Sequence, residues 1–400
     1  MYQGLVRQGP FLRVGRKNPM SAPFSDPWQI FPAGCAIAPL DQEARARALA
    51  HINDQTKPRG SLGRLEDIAH RLAGMRHPFH VAPAKLFTVA GDHGVCSESV
   101  SLYPQEVTRQ MVANFLAGGA AINALTWASG MDLVIVDAGC CGGPFADERV
   151  INRRLGEGTD NIAHGPAMSL ETCCTGLRNG IALALEAVDK GSRCLAIGEM
   201  GIANTTAATA LYAHLLGLSV AHVVGPGTGI DQDMLAHKAD VVRRALVVNA
   251  RQLAANGEGP DPVRALACLG GFEIVTMAGI ILGGAAAGVP VLIDGFISSS
   301  AYVAAVLLCP EAASYCFVAH ASTEPGHVLG LQKLGHALGD GSLTEPLLHL
   351  GMHLGEGTGC AAAYPLLRCA VAAYEKMATF SQGTVSDRMP DKAGAAACRN

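Results

Sequence analysis

From Lys85 onward the chain alternates short apolar runs with helix-length stretches, and each run stops at glycine or a polar residue. The runs are Leu86–Ala90, Leu133–Asp137, Cys194–Ile197, Val220–Val224, Val291–Ile293 and Tyr315–Ala319. Near-continuous apolar runs of this length suit strands buried on both faces, and their interleaving with helical stretches predicts a parallel sheet. The expected fold class is therefore α/β: a parallel sheet with helices on both faces, Rossmann-like in outline. Neither G-x-G-x-x-G after the first strand nor G-x-x-x-x-G-K-[ST] stands where a nucleotide fingerprint belongs. That counts against a dinucleotide dehydrogenase and against a P-loop phosphotransferase.

The ends of these runs collect the polar and glycine-rich residues: Gly91-Asp92-His93, Gly198-Glu199-Met200, Gly225-Pro226-Gly227, Asp294-Gly295 and His320-Ala321-Ser322. In an open parallel sheet, ligands bind beyond the carboxyl ends of the strands, so these segments are expected to converge. Two of them open longer glycine loops, Gly198–Thr206 (GEMGIANTT) and Gly225–Asp231 (GPGTGID), and a third loop, Leu354–Gly359 (LGEGTG), places one carboxylate, Glu356, between glycines. Taken alone, the third loop suits a surface turn as well as an acid held against a substrate. Three such loops together suggest a phosphate-bearing ligand, held by backbone N–H groups at helix starts and by Lys238.

Composition narrows the function class. With 49% hydrophobic residues, 16% charged residues and a net charge of −4 over 400 residues, the chain has a large core and no basic footprint for nucleic acid. Aromatics are only 5% against 47 glycines, which favours small-molecule chemistry over an aromatic recognition surface. The 13 cysteines are scattered without C-x-x-C spacing and read as reduced thiols, and the 14 histidines lack any close ligand set, so no metal is expected. His93 suits a structural hydrogen bond as well as chemistry. The uncharged stretch Thr276–Ile293 approaches the ~20 residues of a membrane span. Gly279, Gly283, Gly284, Gly288 and Pro290 break it into a helix, a turn and a buried strand, so no span is expected.

Upstream of the sheet, Asp41–Asn53 has a helical pattern, Lys57–Gly63 is turn-rich, and Arg64–Gly74 resumes helical spacing through Leu65, Ile68, Ala69 and Leu72. Residues 37–84 are thus expected to form a small helical subdomain, and 85–360 the catalytic domain. Residues 1–36, rich in Pro, Gly and basic residues, are expected to be a mobile extension, and 386–400 a tail. Arg7, Arg13, Arg16 and Lys17 precede the first acid without an apolar core, so an organelle-type presequence and an overextended start with Met20 as initiator both fit.

The segments KPRGSLGRLE (57–66), AGDHGV (90–95), YPQEVT (103–108), GEMGIANTT, GPGTGID, LIDGF (292–296) and LGEGTG together resemble the nicotinate-nucleotide:dimethylbenzimidazole phosphoribosyltransferase family, in order from Ile37 to Val385. The resemblance implies a cytoplasmic homodimer in which a C-terminal helix, 361–385, packs with the small subdomain. It also implies the substrates nicotinate mononucleotide and 5,6-dimethylbenzimidazole, with no metal or organic cofactor. By similarity Glu356 is the general base. Ser97, Tyr103, Gln105 and Met200 match the base-binding side, and Glu199, Gly201, Asn204, Thr205, Gly227, Lys238 and Gly355 the nucleotide side. Asp294 and Ser322 end successive strands and suit either a ribose or phosphate contact or a capping role. An aryl-binding slot is apolar, so the Glu356 pKa is expected to be raised.

The sequence departs from that pattern at Arg59, where a second proline is usual, at His353, where arginine is common, and at 335–342, which reads as an inserted surface loop. Two other readings stay open: a non-catalytic nucleotide- or azole-binding module, and phosphoribosyl transfer to another acceptor such as adenine or a phenol.

Overall fold

Six strands form one wholly parallel sheet: β1 (Ala84–Gly91), β2 (Asp132–Gly139), β3 (Val150–Asn152), β4 (Cys194–Met200), β5 (Val291–Ile293) and β6 (Cys316–Val318). Their order is β3-β2-β1-β4-β5-β6. The chain runs outward from β1 to one edge, returns to the centre at β4, and then runs to the other edge. The switch point, where a crevice opens beyond the strand ends, therefore lies between β1 and β4. The computed structural model describes residues 29–75, 79–227, 229–254, 260–383 and 385–386. Residues 1–28 of the expected extension and 387–400 of the expected tail lie outside them, as does Thr228 in the second glycine loop.

Successive strand side chains point to opposite faces, so the apolar runs feed two cores. Phe87, Val89, Ile197 and Ile293 pack under the helices Leu170–Asp189 and Phe272–Ala286. Leu86, Ala90, Ala196, Leu292 and Phe317 face the other way, onto Ile52, Ile68, Leu72, Tyr364 and Leu367. The helices Gln42–Asp54 and Arg64–Met75 thus dock through a core that they share with the sheet and with the helix Thr358–Lys376. Gln55 ties this joint, donating from Nε2 to the carbonyls of Ala373 (2.8 Å) and Tyr374 (3.1 Å).

The uncharged stretch near 276–293 divides as its glycines predict, into the buried helix Phe272–Ala286, a turn at Gly288 and β5. Among the described residues, one other stretch has the length and composition of a bilayer span, Glu106–Ser129. It is two helices, Glu106–Ala117 and Ala121–Ser129, separated at Gly118, whose φ is +79°.

Two expectations need correction, and one strand, β3, carried none. Val220–Val224 is not a strand: Val220–Val223 forms a single helical turn. Both neighbours of β4 are already β1 and β5, so the sheet has no slot for it, and its valines bury against the helix Pro325–Leu338 instead. β3 went unread because only Val150 of its three residues is buried, and Arg149, Arg153 and Arg154 around it resemble a loop. The segment 335–342 is only in part a loop. The helix Pro325–Leu338 continues through its first residues to a left-handed cap at Gly339, and the 3-10 turn Gly341–Leu343 follows. The carbonyl of Leu343 accepts from the buried Tyr302 hydroxyl at 3.1 Å, which anchors the segment to the core.

The two helices under β1 and β4 approach at glycine. A Cβ on Gly180 would lie 2.0 Å from the Thr276 carbonyl oxygen, and one on Gly279 would lie 2.2 Å from that of Leu177. Backbone cannot yield as a side chain can, so Gly180→Ala is expected to cost about 1–3 kcal/mol, the usual range for overpacking. Gly165, with nothing within 4 Å of its added Cβ, supplies the control. A thermal melt in which Gly180→Ala and Gly165→Ala behave alike would contradict this packing account.

Candidate active site

Thr88 of β1 and Gly198 of β4 are register partners at the switch point, and the Leu354–Gly359 turn lies on the face they share. The Thr88 hydroxyl donates to the Glu356 carbonyl at 2.8 Å. A Cβ on Gly198 would stand 2.2 Å from the Gly357 nitrogen and 2.4 Å from the Glu356 carbonyl oxygen, so only glycine lets the turn lie this close. Glu356 itself has φ of +63°, a left-handed conformation that costs a non-glycine residue about 1–2 kcal/mol. Asp294, at the end of β5, offsets that cost. Its Oδ2 accepts from Gly357 N–H at 2.9 Å and its Oδ1 from Gly359 N–H at 2.8 Å, capping the helix Thr358–Lys376. Both oxygens are engaged and the side chain is fully buried, so the capping role, one of the two expected for Asp294, is present.

The Glu356 carboxylate points to the first turn of the helix Ala121–Ser129, where Oε2 accepts from Ile122 N–H at 3.3 Å. It is 5% exposed. Burial raises its pKa above the usual carboxylate value; the Ile122 N–H opposes the rise and the nearby Asp294 charge adds to it. The expected direction of shift is thus present.

Glu199 stands in β4 close to the same turn: a Cβ on Gly355 would lie 2.3 Å from its Oε1. Its Oε2 accepts from the Asn204 amide. Burial pushes its pKa up to about 8; Asn204 resists, while the charges of Asp294, Glu273 and Glu356 add to the rise. At neutral pH Glu199 therefore holds a proton and Glu356 is the more readily ionised of the two, a division of roles set by environment. Gly201 and Met200 complete this side; a Cβ on Gly201 would reach the Gly91 carbonyl at 2.5 Å.

A second group forms one residue further along. Thr205, in the first turn of the helix Asn204–Leu216, accepts from Lys238 Nζ at 2.7 Å, and Lys238 also donates to the Gly225 carbonyl at 3.2 Å. Lys238 lies on the helix Gln232–Val248 and is 1% exposed; burial lowers its pKa to about 8, against the pull of the Glu324 charge. Gly227, with φ of +53°, presents its N–H to Glu324 Oε1 at 3.0 Å. Ser322 closes the group; its N–H donates to His327 Nδ1 at 2.8 Å, and its hydroxyl accepts from Glu324 N–H at 3.3 Å. Buried ammonium, N–H groups at a helix start and hydroxyls make a site suited to a phosphate or carboxylate.

Ser97, Tyr103 and Gln105 lie on the segment after β1. Ser97 is exposed and donates to the Gly94 carbonyl at 2.8 Å; Tyr103 is half-exposed; Gln105 donates to Cys141 Sγ at 3.3 Å. Their hydrogen bonds run to that segment, to the β2 loop and, for Ser97, to the Asn161 amide at 3.2 Å, not to the Glu356 or Lys238 groups. His93 makes the structural hydrogen bond expected as one of its two readings: its Nε2 meets Glu273 Oε1 at 2.7 Å in a fully buried pair. Sequence reasoning missed Thr88, which looks like any strand residue, and Glu324, which precedes Pro325 and reads as a plain helix start.

The family described as Phosphoribosyltransferase matches residues 37–385. A protein of Nitratidesulfovibrio vulgaris (strain DP4) named nicotinate-nucleotide–dimethylbenzimidazole phosphoribosyltransferase is 52% identical over 356 residues, 88% of this chain and 96% of that one. One of the same name from Solidesulfovibrio magneticus is 50% identical over 356 residues, 88% of this chain and 97% of its own. Among solved structures, the enzyme of that name from Thermus thermophilus superposes with a TM-score of 0.78 at 41% identity, covering 87% of this chain and 100% of its own.

The Glu199 environment predicts a pH dependence of stability. Between the unfolded carboxyl pKa, about 4.3, and the folded value of about 8, the native chain holds a proton that the unfolded chain has lost. Stability therefore falls as pH rises through that window. Glu199→Gln, which keeps an acceptor for Asn204, is expected to flatten the decline in Tm between about pH 5 and 8. An equally steep decline in the variant would place the linkage on another group.

Proposed function

The chain belongs to the phosphoribosyltransferase family of those relatives, and on that premise we propose that it transfers the 5-phosphoribosyl group of nicotinate mononucleotide to 5,6-dimethylbenzimidazole. The products are nicotinate and α-ribazole 5′-phosphate, in assembly of the lower nucleotide of cobalamin. The observation that carries the mechanism is Glu356: a buried carboxylate with raised pKa, fixed over the switch point, with one oxygen held by Ile122 N–H.

Nicotinate leaves from a cationic pyridinium and departs with a neutral ring nitrogen, so the leaving group needs no acid. The nucleophile needs a base instead. As one imidazole nitrogen forms its bond to the anomeric carbon, with inversion, the N–H at the other becomes strongly acidic, and Glu356 takes that proton. Burial keeps the carboxylate basic enough to accept it near neutral pH, and the fixed turn supplies alignment before substrate arrives. Met200, at the end of β4, and Tyr103, Gln105 and Ser97, on the segment after β1, flank the acceptor ring. Lys238, Thr205, Gly227 and Ser322, with the N–H groups that open the helix Asn204–Leu216, receive the phosphate. Glu199, Asn204, Gly201 and Gly355 line the ribose and nicotinate between them. Asp294 acts through the turn that it holds, as a positioning residue.

We also place the enzyme in the cytoplasm as a homodimer. The helix pair 106–129 supports the second copy: it is largely exposed for its apolarity, and Trp127 is 87% exposed. Sedimentation at the mass of one chain would overturn that assembly.

The functional test is nicotinate release from nicotinate mononucleotide with and without 5,6-dimethylbenzimidazole. Release that depends on the base is expected to fall about 10²–10⁴-fold in Glu356→Gln, the range of a positioned base. In the native enzyme, kcat/KM should fall as pH drops through the raised Glu356 pKa, because only the carboxylate accepts a proton, and this acid limb should vanish in the variant. Undiminished release in Glu356→Gln would move the chemistry to another group, and use of adenine or phenols alone would overturn the acceptor.

A further inference from the structure

The phosphate side of the site contains a carboxylate, which is unexpected where an anion is to bind. Glu324, 6% exposed, reaches from the segment after β6 to the Gly225–Gly227 turn. Its Oε1 takes the Gly227 N–H at 3.0 Å, and its Oε2 is buried with no hydrogen-bond partner. It fills the space beside Gly225 so fully that a Cβ there would stand 1.9 Å from Oε2. Lys238 lies against the other flank of the same turn: Nζ donates to the Gly225 carbonyl, and a Cβ on Gly227 would lie 3.2 Å from it. Acid and ammonium thus grip three residues of backbone from two sides without touching each other.

Resting on the reading of Lys238 as the phosphate ligand, we propose that Glu324 is a positioning residue for nicotinate mononucleotide: it holds the Gly225–Gly227 turn and supplies the counter-charge that keeps Lys238 an ammonium before nucleotide binds. Among the described residues, the groups facing Lys238 leave no other source of that charge. The helix Asn204–Leu216 offers it the Thr205 hydroxyl, and the turn offers backbone. Beyond Glu324 stands His353, whose Nδ1 is 2.9 Å from the Thr323 hydroxyl and whose charge acts on Glu324. Burial lowers the Lys238 pKa to about 8 even with Glu324 opposing the change. Loss of the carboxylate charge therefore lowers it further, and the ammonium disappears at a lower pH.

Calorimetric binding of nicotinate mononucleotide from pH 6 to 9 tests this in native enzyme, Glu324→Gln and Glu324→Asp, alongside kcat and both KM values. Glu324→Gln preserves an acceptor for Gly227 N–H and removes the charge. Its loss of affinity with rising pH is expected to begin about one unit or more below that of native enzyme, within the range for losing a nearby opposite charge. The KM for nicotinate mononucleotide should rise with kcat and the dimethylbenzimidazole KM little changed. Glu324→Asp, which retains the charge, should keep the native pH limb. Adding Lys238→Arg to Glu324→Gln should abolish the limb, because guanidinium stays charged throughout. An unmoved limb in Glu324→Gln, or tighter nucleotide binding from relief of repulsion, overturns the proposal. Native enzyme that binds no nucleotide overturns both this and the functional reading, whereas native binding and turnover with a silent Glu324→Gln overturns this inference alone.

Discussion

The site depends on one carboxylate and two amides. Asp294 at the end of β5 takes the N–H groups of Gly357 and Gly359, and so decides where the helix Thr358–Lys376 begins and how the residue before it is turned. Three features follow: the left-handed backbone of Glu356, its seat over Gly198, and the hydrogen bond from Thr88. Thr88 and Gly198 belong to β1 and β4, and Asp294 directly follows β5. The geometry of the turn is thereby set by folding, at a modest conformational cost borne within the fold.

The same crowding explains the electrostatics. Glu199, Glu356, Asp294 and Glu273 all lie near the crevice, and water is excluded from most of them. Negative charges so close cannot all ionise near neutrality. Their hydrogen bonds differ. Asp294 has two backbone donors; Glu356 has one; Glu199 has a side-chain amide and the company of the other three. Burial raises the pKa of both Glu356 and Glu199, the latter to about 8, so one pocket holds a neutral acid made from an ordinary carboxylate.

Much of this was legible in the sequence, and the reasons for what was not are physical. β1, β2, β4, β5 and β6 announced themselves because burial on both faces leaves an apolar run. β3 did not, since an edge strand buried on one side and flanked by arginines looks like a loop. Val220–Val224 misled for the opposite reason: its β-branched run satisfies strand propensity, but the sheet has no free position beside β4. In the site, Glu356 and Glu199 stood out through their glycine-rich surroundings, and Lys238 through the family resemblance. Glu324 and Thr88 did not, because their roles arise from residues about a hundred and about 270 positions away in the chain, which no local pattern encodes. Asp294 was visible as a strand-end acid, but its partners lie more than sixty residues downstream, so capping and ligand contact read alike.

Asn204 and Thr205 are adjacent in the chain, yet they serve different halves of the site: Asn204 bonds Glu199, and Thr205 bonds Lys238. One helix start is therefore a ruler between the Glu199 carboxyl and the Lys238 ammonium. Its span is set by backbone geometry, at about 1.5 Å of rise per residue, and no side-chain rotation can lengthen it. The two groups keep their spacing whatever happens on the exposed segment after β1.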